Sequence, residues 1–497
     1  MTPFIEHTDL YVGGSWIPST GTDHIEVFSP RNGELIGRVP HATAADVDAA
    51  VAAAREAFDR GPWPRLSLDE RIDVVSRLKD ALLARCDELA ELISRENGSP
   101  ITVAVRSQVM GAVAVYASAI ATATAFTFEE ERRGMSGPMV VRHEPVGVVA
   151  AVVPWNFPQA LLASKLAPAL LAGCTVIVKP SPQTPLDAYV LAEVADEVGL
   201  PAGVLSVLPA DRDTSAYLVS HPGVDKVAFT GSVATGKSVM AAAAGNLTRV
   251  TLELGGKSAA ILLEDADVDA AIPHLVAGGF LNSGQACMAL TRVLAPSSRY
   301  DEVATKLAAA IRALPVGDPA DPTTVIGPMS SAQAQQRNLD YIRIAQEQGA
   351  TVLAGGGVPE GLDHGWYVEP TLLGDVDNDM RVAQEEIFGP VVCLIRYDGE
   401  EEAIDLANAS DFGLSGAVFT QDDDHGLAIA RRIRTGTYSV NCQRVDFGGP
   451  FGGFKNSGIG REFAAEGLAS YLETKTIHLP TARSRMPDPD EEGAATR

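Results

Sequence analysis

Cys287 follows a run of small and polar residues, Asn282-Ser-Gly-Gln-Ala. A turn of that kind leaves a thiol open to an incoming carbonyl, and a thiolate is intrinsically a strong nucleophile. Glu253 closes an apolar stretch in Leu252-Glu-Leu-Gly-Gly-Lys257. A carboxylate short of water has its pKa raised toward the range of a general base. Asn156 sits in Pro154-Trp-Asn-Phe-Pro158, where two prolines fix the backbone and two aromatics flank one amide. An amide held so can donate to a developing oxyanion; it can equally cap the helix that comes next. Nucleophile, base and amide donor together suit covalent acyl chemistry. No histidine stands close to Cys287 in the sequence, which speaks against a papain-type protease.

A second pattern competes for the same region. GSVATGKS at 231–238 matches G-x-x-x-x-G-K-[ST], follows an apolar run and opens a helical one. Read as a P-loop, with Glu264 and Asp265 as metal-holding acids, it makes the chain a nucleotide hydrolase. The reading shared with other nucleotide sites is weaker: a Gly/Ser turn at a helix N-terminus, where free N–H groups and the dipole receive a phosphate.

These residues need a scaffold. Residues 10–40 alternate and break at Gly13-Gly14 and Asn32-Gly33, which predicts hairpins. Thr43 reads as an N-cap for a helix carrying Val47, Ala50, Val51, Ala54, Ala57 and Phe58 at helical spacing. A second periodic helix is expected over 69–96. Residues 109–126 carry no charge but few large apolar side chains, so a buried small-residue helix is expected rather than a membrane span. From residue 146, short β-branched runs (VGVVAAVVP, CTVIVKP, GVLSVLP, VDKVAFTG) alternate with helical stretches at 158–172 and 184–198. Continuous apolar strands separated by helices predict a doubly wound parallel sheet. A second α/β alternation begins near Ser258 and runs past residue 440. Residues 128–146 and 471–480 fit neither unit and read as β-rich excursions. The tail from 483 is charged, contains proline and is expected to be disordered.

The chain has 497 residues, with 64 acidic against 39 basic side chains, a formal charge of −25. That length allows two to four domains. The charge argues against nucleic acid and anionic membrane partners, which need Lys and Arg to meet phosphates. The five cysteines form no CxxC pair, so a zinc ribbon or disulfide framework is not expected. Cys86, Cys174, Cys393 and Cys442 stand in apolar or strand-like contexts and read as buried small hydrophobes. With no basic, apolar leader at residues 1–14, a cytoplasmic location is the expectation.

Seven motifs then carry a resemblance. PWNFP at 154–158, KPS at 179–181, FTGS at 229–232, ELGGK at 253–257, GQAC at 284–287, EEIFGPV at 385–391 and PFGGFKNSGIGRE at 450–462 resemble, in order, those of the NAD(P)-dependent aldehyde dehydrogenase superfamily. The resemblance covers nearly the whole chain. It implies that Cys287 attacks the aldehyde and that the Asn156 amide and the Cys287 backbone N–H hold the thiohemiacetal oxyanion. Hydride then leaves for the nicotinamide, and Glu253 activates water against the thioester. It implies a proton relay through Lys165. It places Lys179 on the adenosine ribose, Ser232 at the pyrophosphate, and Glu386 and Phe388 on the nicotinamide ribose and ring, with Ser181, Trp155, Gly231 and Leu254 completing the cofactor set. No metal is expected.

The same resemblance implies a Rossmann-like cofactor domain (1–125 and 147–254), an α/β catalytic domain (255–458), and an oligomerisation ribbon with a C-terminal segment (126–146 and 459–482). It also implies a homodimer or homotetramer. Pro182 stands where many NAD-preferring members carry a glutamate. NAD is therefore the expected cofactor, with NADP possible. For the substrate aldehyde, Phe157, Met288, Val445 and Phe451 are the candidate contacts, in a mouth lined from 110–116, 159–164 and 444–447. Ser164 replaces a bulky aromatic common in the family, which implies a roomier tunnel. A medium or bulky apolar aldehyde is expected, with Arg444 offering a carboxylate-bearing one as the other choice.

Overall fold

The structure, a computed structural model, describes residues 4–480. The expected tail from 483 lies outside them. The first hairpin forms between Asp9–Val12 and Ser15–Pro18 across Gly13-Gly14, both at positive φ. Thr43 caps helix Ala44–Asp59 with a full capping box through Asp46. The helix expected over 69–96 is two, Leu68–Ala84 and Cys86–Asn97. The break falls at Arg85, whose φ of −100° and ψ of 22° leave the helical region. Its guanidinium is held by Glu88 and by Glu193 of another helix. No glycine or proline marks that break, so residue type could not have announced it.

Five parallel strands form the centre of the first sheet, ordered Arg249–Glu253, Lys226–Thr230, Val148–Val152, Thr175–Lys179, Leu205–Val207. All but the first are buried at every residue, which is why they read as unbroken apolar runs. The chain winds outward in one direction from Val148–Val152 and then crosses to Lys226–Thr230 on its other side. The order reverses between those two strands. In an open α/β sheet the crevice at the carboxyl ends of such a pair is where a ligand binds. Residues 153–156 and 230–232 emerge there.

The second sheet orders Thr351–Ala354, Thr371–Gly374, Val391–Tyr397, Leu290–Pro296, Ser258–Leu262, Gly416–Phe419 and Ser439–Val440, parallel except for the first pair. Four residues, 254–257, link the end of Arg249–Glu253 to the start of Ser258–Leu262. Leu290, just after Cys287, pairs with Ser258. The carboxyl edge of one sheet thus meets the amino edge of the other, with the chemistry between them.

The two stretches that fitted neither unit pair with each other. Leu472–His478 lies antiparallel to Gly137–Pro145, which hairpins with Glu129–Gly134. The short strand Gly458–Ile459 instead joins the first sheet beside Arg249–Glu253.

The uncharged stretch forms helix Met110–Ala125, packed on Pro158–Ala172, but it is not the fully buried helix expected: only Gly111, Ala112, Val115, Tyr116 and Ala123 are buried. Small side chains permit close approach on one side and leave the other open. Cys174 and Cys393 are buried as expected, whereas Cys86 and Cys442 are only half-buried.

Candidate active site

One cleft between the sheets is lined by Pro154, Trp155, Asn156, Thr230, Gly231, Ser232, Leu254, Gly255, Cys287, Arg337, Glu386 and Phe388, with a volume of about 220 Å³. It gathers residues from five of the seven motifs. Cys287 comes after a left-handed turn: Asn282, Ser283 and Gly284 have φ of 51°, 57° and 73°. Two non-glycine residues in that region are strained and need outside support. Asn282 receives a hydrogen bond from Ser99 Oγ at 2.6 Å and donates to the Asn156 carbonyl at 2.9 Å; Ser283 Oγ accepts from Gly327 N at 2.9 Å. Gly284 has no alternative residue: a Cβ there would lie 2.2 Å from the Gly389 carbonyl.

The Cys287 thiol is pushed up to about 12, first by loss of water and then by Glu386 and Glu253 nearby. The backbone N–H groups of Cys287 and Met288 act in the opposite direction. Negative charge on this sulfur therefore needs further positive charge or hydrogen bonds.

Asn156 is buried, and its Nδ2 donates to the Gln285 carbonyl at 2.9 Å. That uses one of two N–H bonds and leaves the other. Helix Pro158–Ala172 starts without a side-chain cap, so Asn156 does not serve as one.

Glu253 ends its strand buried, and neither carboxylate oxygen has a hydrogen-bond partner among the described residues. Desolvation, then the charge of Glu462, raises its pKa well above the ordinary value; Lys165 and Arg461 oppose this. A Cβ on Gly452 would sit 2.6 Å from Glu253 Oε1, so a glycine is needed to leave the carboxylate its place.

Lys165 is fully buried, with Nζ 2.6 Å from both Glu462 Oε1 and Thr230 Oγ1. Its partner is Glu462, not Glu253. Glu462 stands in the last of the seven motifs, but a lone acidic residue 297 positions from its lysine offers no local signal of a role. Glu462 is fixed by reciprocal backbone bonds with Phe451 at 2.8 and 2.7 Å.

Elsewhere in the cleft, Trp155 meets Phe388 edge-on at 5.4 Å between ring centroids, and Phe388 has a positive φ of 66°. Glu386 Oε1 accepts from Gly256 N at 3.0 Å, and burial holds its carboxyl up at about 7. Arg337, which no motif flags in the sequence, lines the cleft and donates to the carbonyls of Glu386 and Ile387. Lys179 and Ser181 lie at the end of the adjacent strand Thr175–Lys179, outside the cleft lining. Burial brings the Lys179 amine down to about 8, against the opposing charge of Asp211.

Of the substrate candidates, Phe157, Met288, Val445 and Phe451 all stand apart from this cleft. Phe451 packs against Phe463 at 6.0 Å and Val445 is exposed. Gln159, expected in the mouth, is turned inward onto Asp187 at 2.7 Å. Ser164 lines a separate small apolar cavity with Val115, Ala119, Pro168, Phe447 and Phe463.

The geometry also decides the competing motif. Ser232 caps helix Val233–Ala244, so 233–238 are already helical. Gly236 is packed under Leu254, and Lys237 is exposed to solvent. No loop is left to wrap a phosphate chain. Asp265 is tied to Thr420 in the other sheet. The P-loop reading is therefore wrong.

The family model described as the aldehyde dehydrogenase family matches residues 16–477. The chain belongs to that family. It is 47% identical over 476 residues to a geranial dehydrogenase of Castellaniella defragrans, covering 96% of this chain and 99% of that one. It is 40% identical to a 3-succinoylsemialdehyde-pyridine dehydrogenase of a Pseudomonas species, covering 95% and 98%. Among solved structures, a Mycobacterium tuberculosis aldehyde dehydrogenase complexed with NAD+ superposes with a TM-score of 0.95 at 49% identity, covering 96% and 99%. A Pseudomonas syringae aldehyde dehydrogenase variant with NAD+ and octanal gives 0.92 at 38%, covering 95% and 96%.

Proposed function

We propose that this protein oxidises an apolar aldehyde of medium length to its carboxylic acid with NAD, by covalent catalysis on Cys287. The observation that carries the proposal is the single cleft holding Asn156, Cys287, Glu386 and the capped helix start at Ser232.

The chain's own groups fit a dinucleotide. The first N–H groups of helix Val233–Ala244 suit a pyrophosphate. The buried amine of Lys179 and the half-satisfied carboxylate of Glu386 suit ribose hydroxyls, and Trp155 and Phe388 give the ring apolar surfaces. NAD when bound supplies the hydride acceptor. The Cys287 thiol gives its proton to Glu253, whose charge acts on the sulfur, as the sulfur forms the bond to the aldehyde carbon, giving a thiohemiacetal. The free N–H of Asn156 and the Cys287 backbone N–H hold the oxyanion. After oxidation the acyl group is a thioester on Cys287. Glu253, short of water and of hydrogen bonds, takes a proton from the water that hydrolyses it. Lys165 and Glu462 sit behind Glu253 as the next charged groups in the proton's path.

For the aldehyde, the apolar cavity lined by Val115, Ala119, Pro168, Phe447 and Phe463 beside Ser164 favours a hydrocarbon chain. The names of two relatives, with geranial and octanal, agree with that class. Three of the four sheets support a cofactor unit, a catalytic unit and a ribbon, and the exposed strand Leu472–His478 suits a homo-oligomer. The odd, unpaired cysteines suit the cytoplasm. The test is a panel of aldehydes followed by NADH absorbance with NAD and NADP in turn. Turnover of octanal or geranial above acetaldehyde supports the substrate class; no turnover of any aldehyde overturns the function.

A further inference from the structure

We infer that Gln108 is a positioning residue for the oxyanion-holding amide, delivered to it by a π turn in the helix that runs from 101 to 125. This rests on the role proposed above for Asn156.

The helix is irregular at one place. Ile101–Val103 and Met110–Ala125 are α-helical, and Ala104–Val109 between them is π. The segment AVRSQV holds no glycine or proline that would demand this. A π turn takes in one extra residue, so the turns beyond it are rotated by about 100° relative to an uninterrupted α-helix. Gln108 lies inside the π turn itself. Its side chain is completely buried.

Gln108 Nε2 donates to the Asn156 carbonyl at 2.8 Å and reaches Ser99 Oγ at 3.4 Å. Asn282 Nδ2 donates to the same carbonyl at 2.9 Å, and Asn97 Nδ2 approaches it at 3.5 Å. Three side-chain amides from three different segments converge on one backbone oxygen. Two of them fill its two lone pairs. The Asn156 side chain is fixed at its other end by the Gln285 carbonyl. Main chain and side chain are thus both held, and the remaining N–H has one direction left. Asn282 ties this arrangement to the strained turn before Cys287.

Stability does not explain Gln108. Its Oε1 is buried with no hydrogen-bond partner among the described residues. A half-satisfied buried amide destabilises the fold relative to an apolar side chain of the same shape. The gain lies in fixing Asn156 before the reaction begins.

The test uses two rates. One is NADH formation from octanal. The other is hydrolysis of p-nitrophenyl acetate without NAD, which needs Cys287 and an oxyanion donor but no hydride acceptor. In Gln108→Met, which keeps the side chain's length, both rates fall about tenfold, part of the loss seen when an oxyanion donor is removed outright. The KM for octanal stays within about two-fold, because Gln108 acts on the oxyanion and not on the bound aldehyde. Placed in an Asn156→Ala background, the same substitution costs nothing further, because Gln108 acts through Asn156. Gln108→Leu, which also removes the donor and leaves no buried polar atom, repeats the measurement and stands in if the first variant fails to fold. Unchanged rates, or an undiminished loss in the Asn156→Ala background, would overturn the inference. Asn156→Ala that lowers neither rate would remove the reading beneath it, and is seen separately in the single variant.

Discussion

At the scale of single residues, the proposed site turns on carboxylates kept from water and a half-buried thiol. Glu253 has its pKa raised by burial and by Glu462. A general base works only when deprotonated, so turnover limited by deacylation should rise with pH through that raised pKa. In Glu253→Gln the rise should vanish from the pH profile of kcat and the acyl-enzyme should accumulate. A Glu253→Gln profile identical to the parent's would contradict this. Lys165 and Glu462 form an ion pair closed to solvent. Glu462→Ala leaves the Lys165 charge uncompensated, which costs about 3–5 kcal/mol of stability, readable in denaturant unfolding. Pro182 comes directly after Ser181 and three residues after Lys179, both proposed to hold the cofactor. Pro182→Glu should raise the NAD-to-NADP ratio of kcat/KM by about tenfold, since a carboxylate accepts from ribose hydroxyls and repels a 2′-phosphate; steady-state kinetics with both cofactors checks it. Cys287, Glu253 and Asn156 were legible because their flanking motifs are local. Glu462, Gln108 and Arg337 were not, since each matters only through a partner far away in the chain.

At the scale of elements, apolar runs predicted the buried parallel strands, and Thr43 its helix. The break at Arg85 and the π turn at 104–109 escaped, because tertiary contacts rather than local residue types produce them. So did the carboxyl pair Glu96 and Asp187. Glu96 accepts from the backbone N–H of Leu186 and Asp187, capping helix Leu186–Glu197, while Asp187 accepts from Gln159. Burial raises both, Asp187 to about 7 and Glu96 well above the ordinary range. The folded pair therefore binds protons more tightly than the unfolded chain. Its stabilisation is complete below the unfolded carboxylate range near pH 4 and is lost as pH rises through about 7. The decline is about 1.4 kcal/mol per pH unit for each proton retained. Asp187→Asn should flatten this slope in melting curves taken from pH 5 to 8; a slope equal to the parent's would refute the account.

At the scale of the whole molecule, two largely parallel sheets meet edge to edge and a three-stranded ribbon stands apart, with a small sheet of residues from 5–40 besides. The sequence's two α/β alternations foretold the first part, and its two misfit stretches the second. What spacing could not tell is that 128–146 and 471–480 pair with each other, since more than 300 residues separate them. The outer strand Leu472–His478 is largely exposed, an open edge that natural proteins cover. Light scattering should therefore give a mass of two or four chains, and a monomer would contradict the proposed assembly. The net charge of −25 plays no part in the chemistry, which depends on local groups. In the proposed reaction, oxidation passes through an acyl group on Cys287 that Glu253 helps to remove. Intact-mass measurement of Glu253→Gln after reaction with octanal and NAD tests it most directly. The expected result is a mass increase of one octanoyl group, mapped to the peptide holding Cys287 and absent in Cys287→Ala. Turnover at the parent's rate with Cys287 unmodified would contradict it.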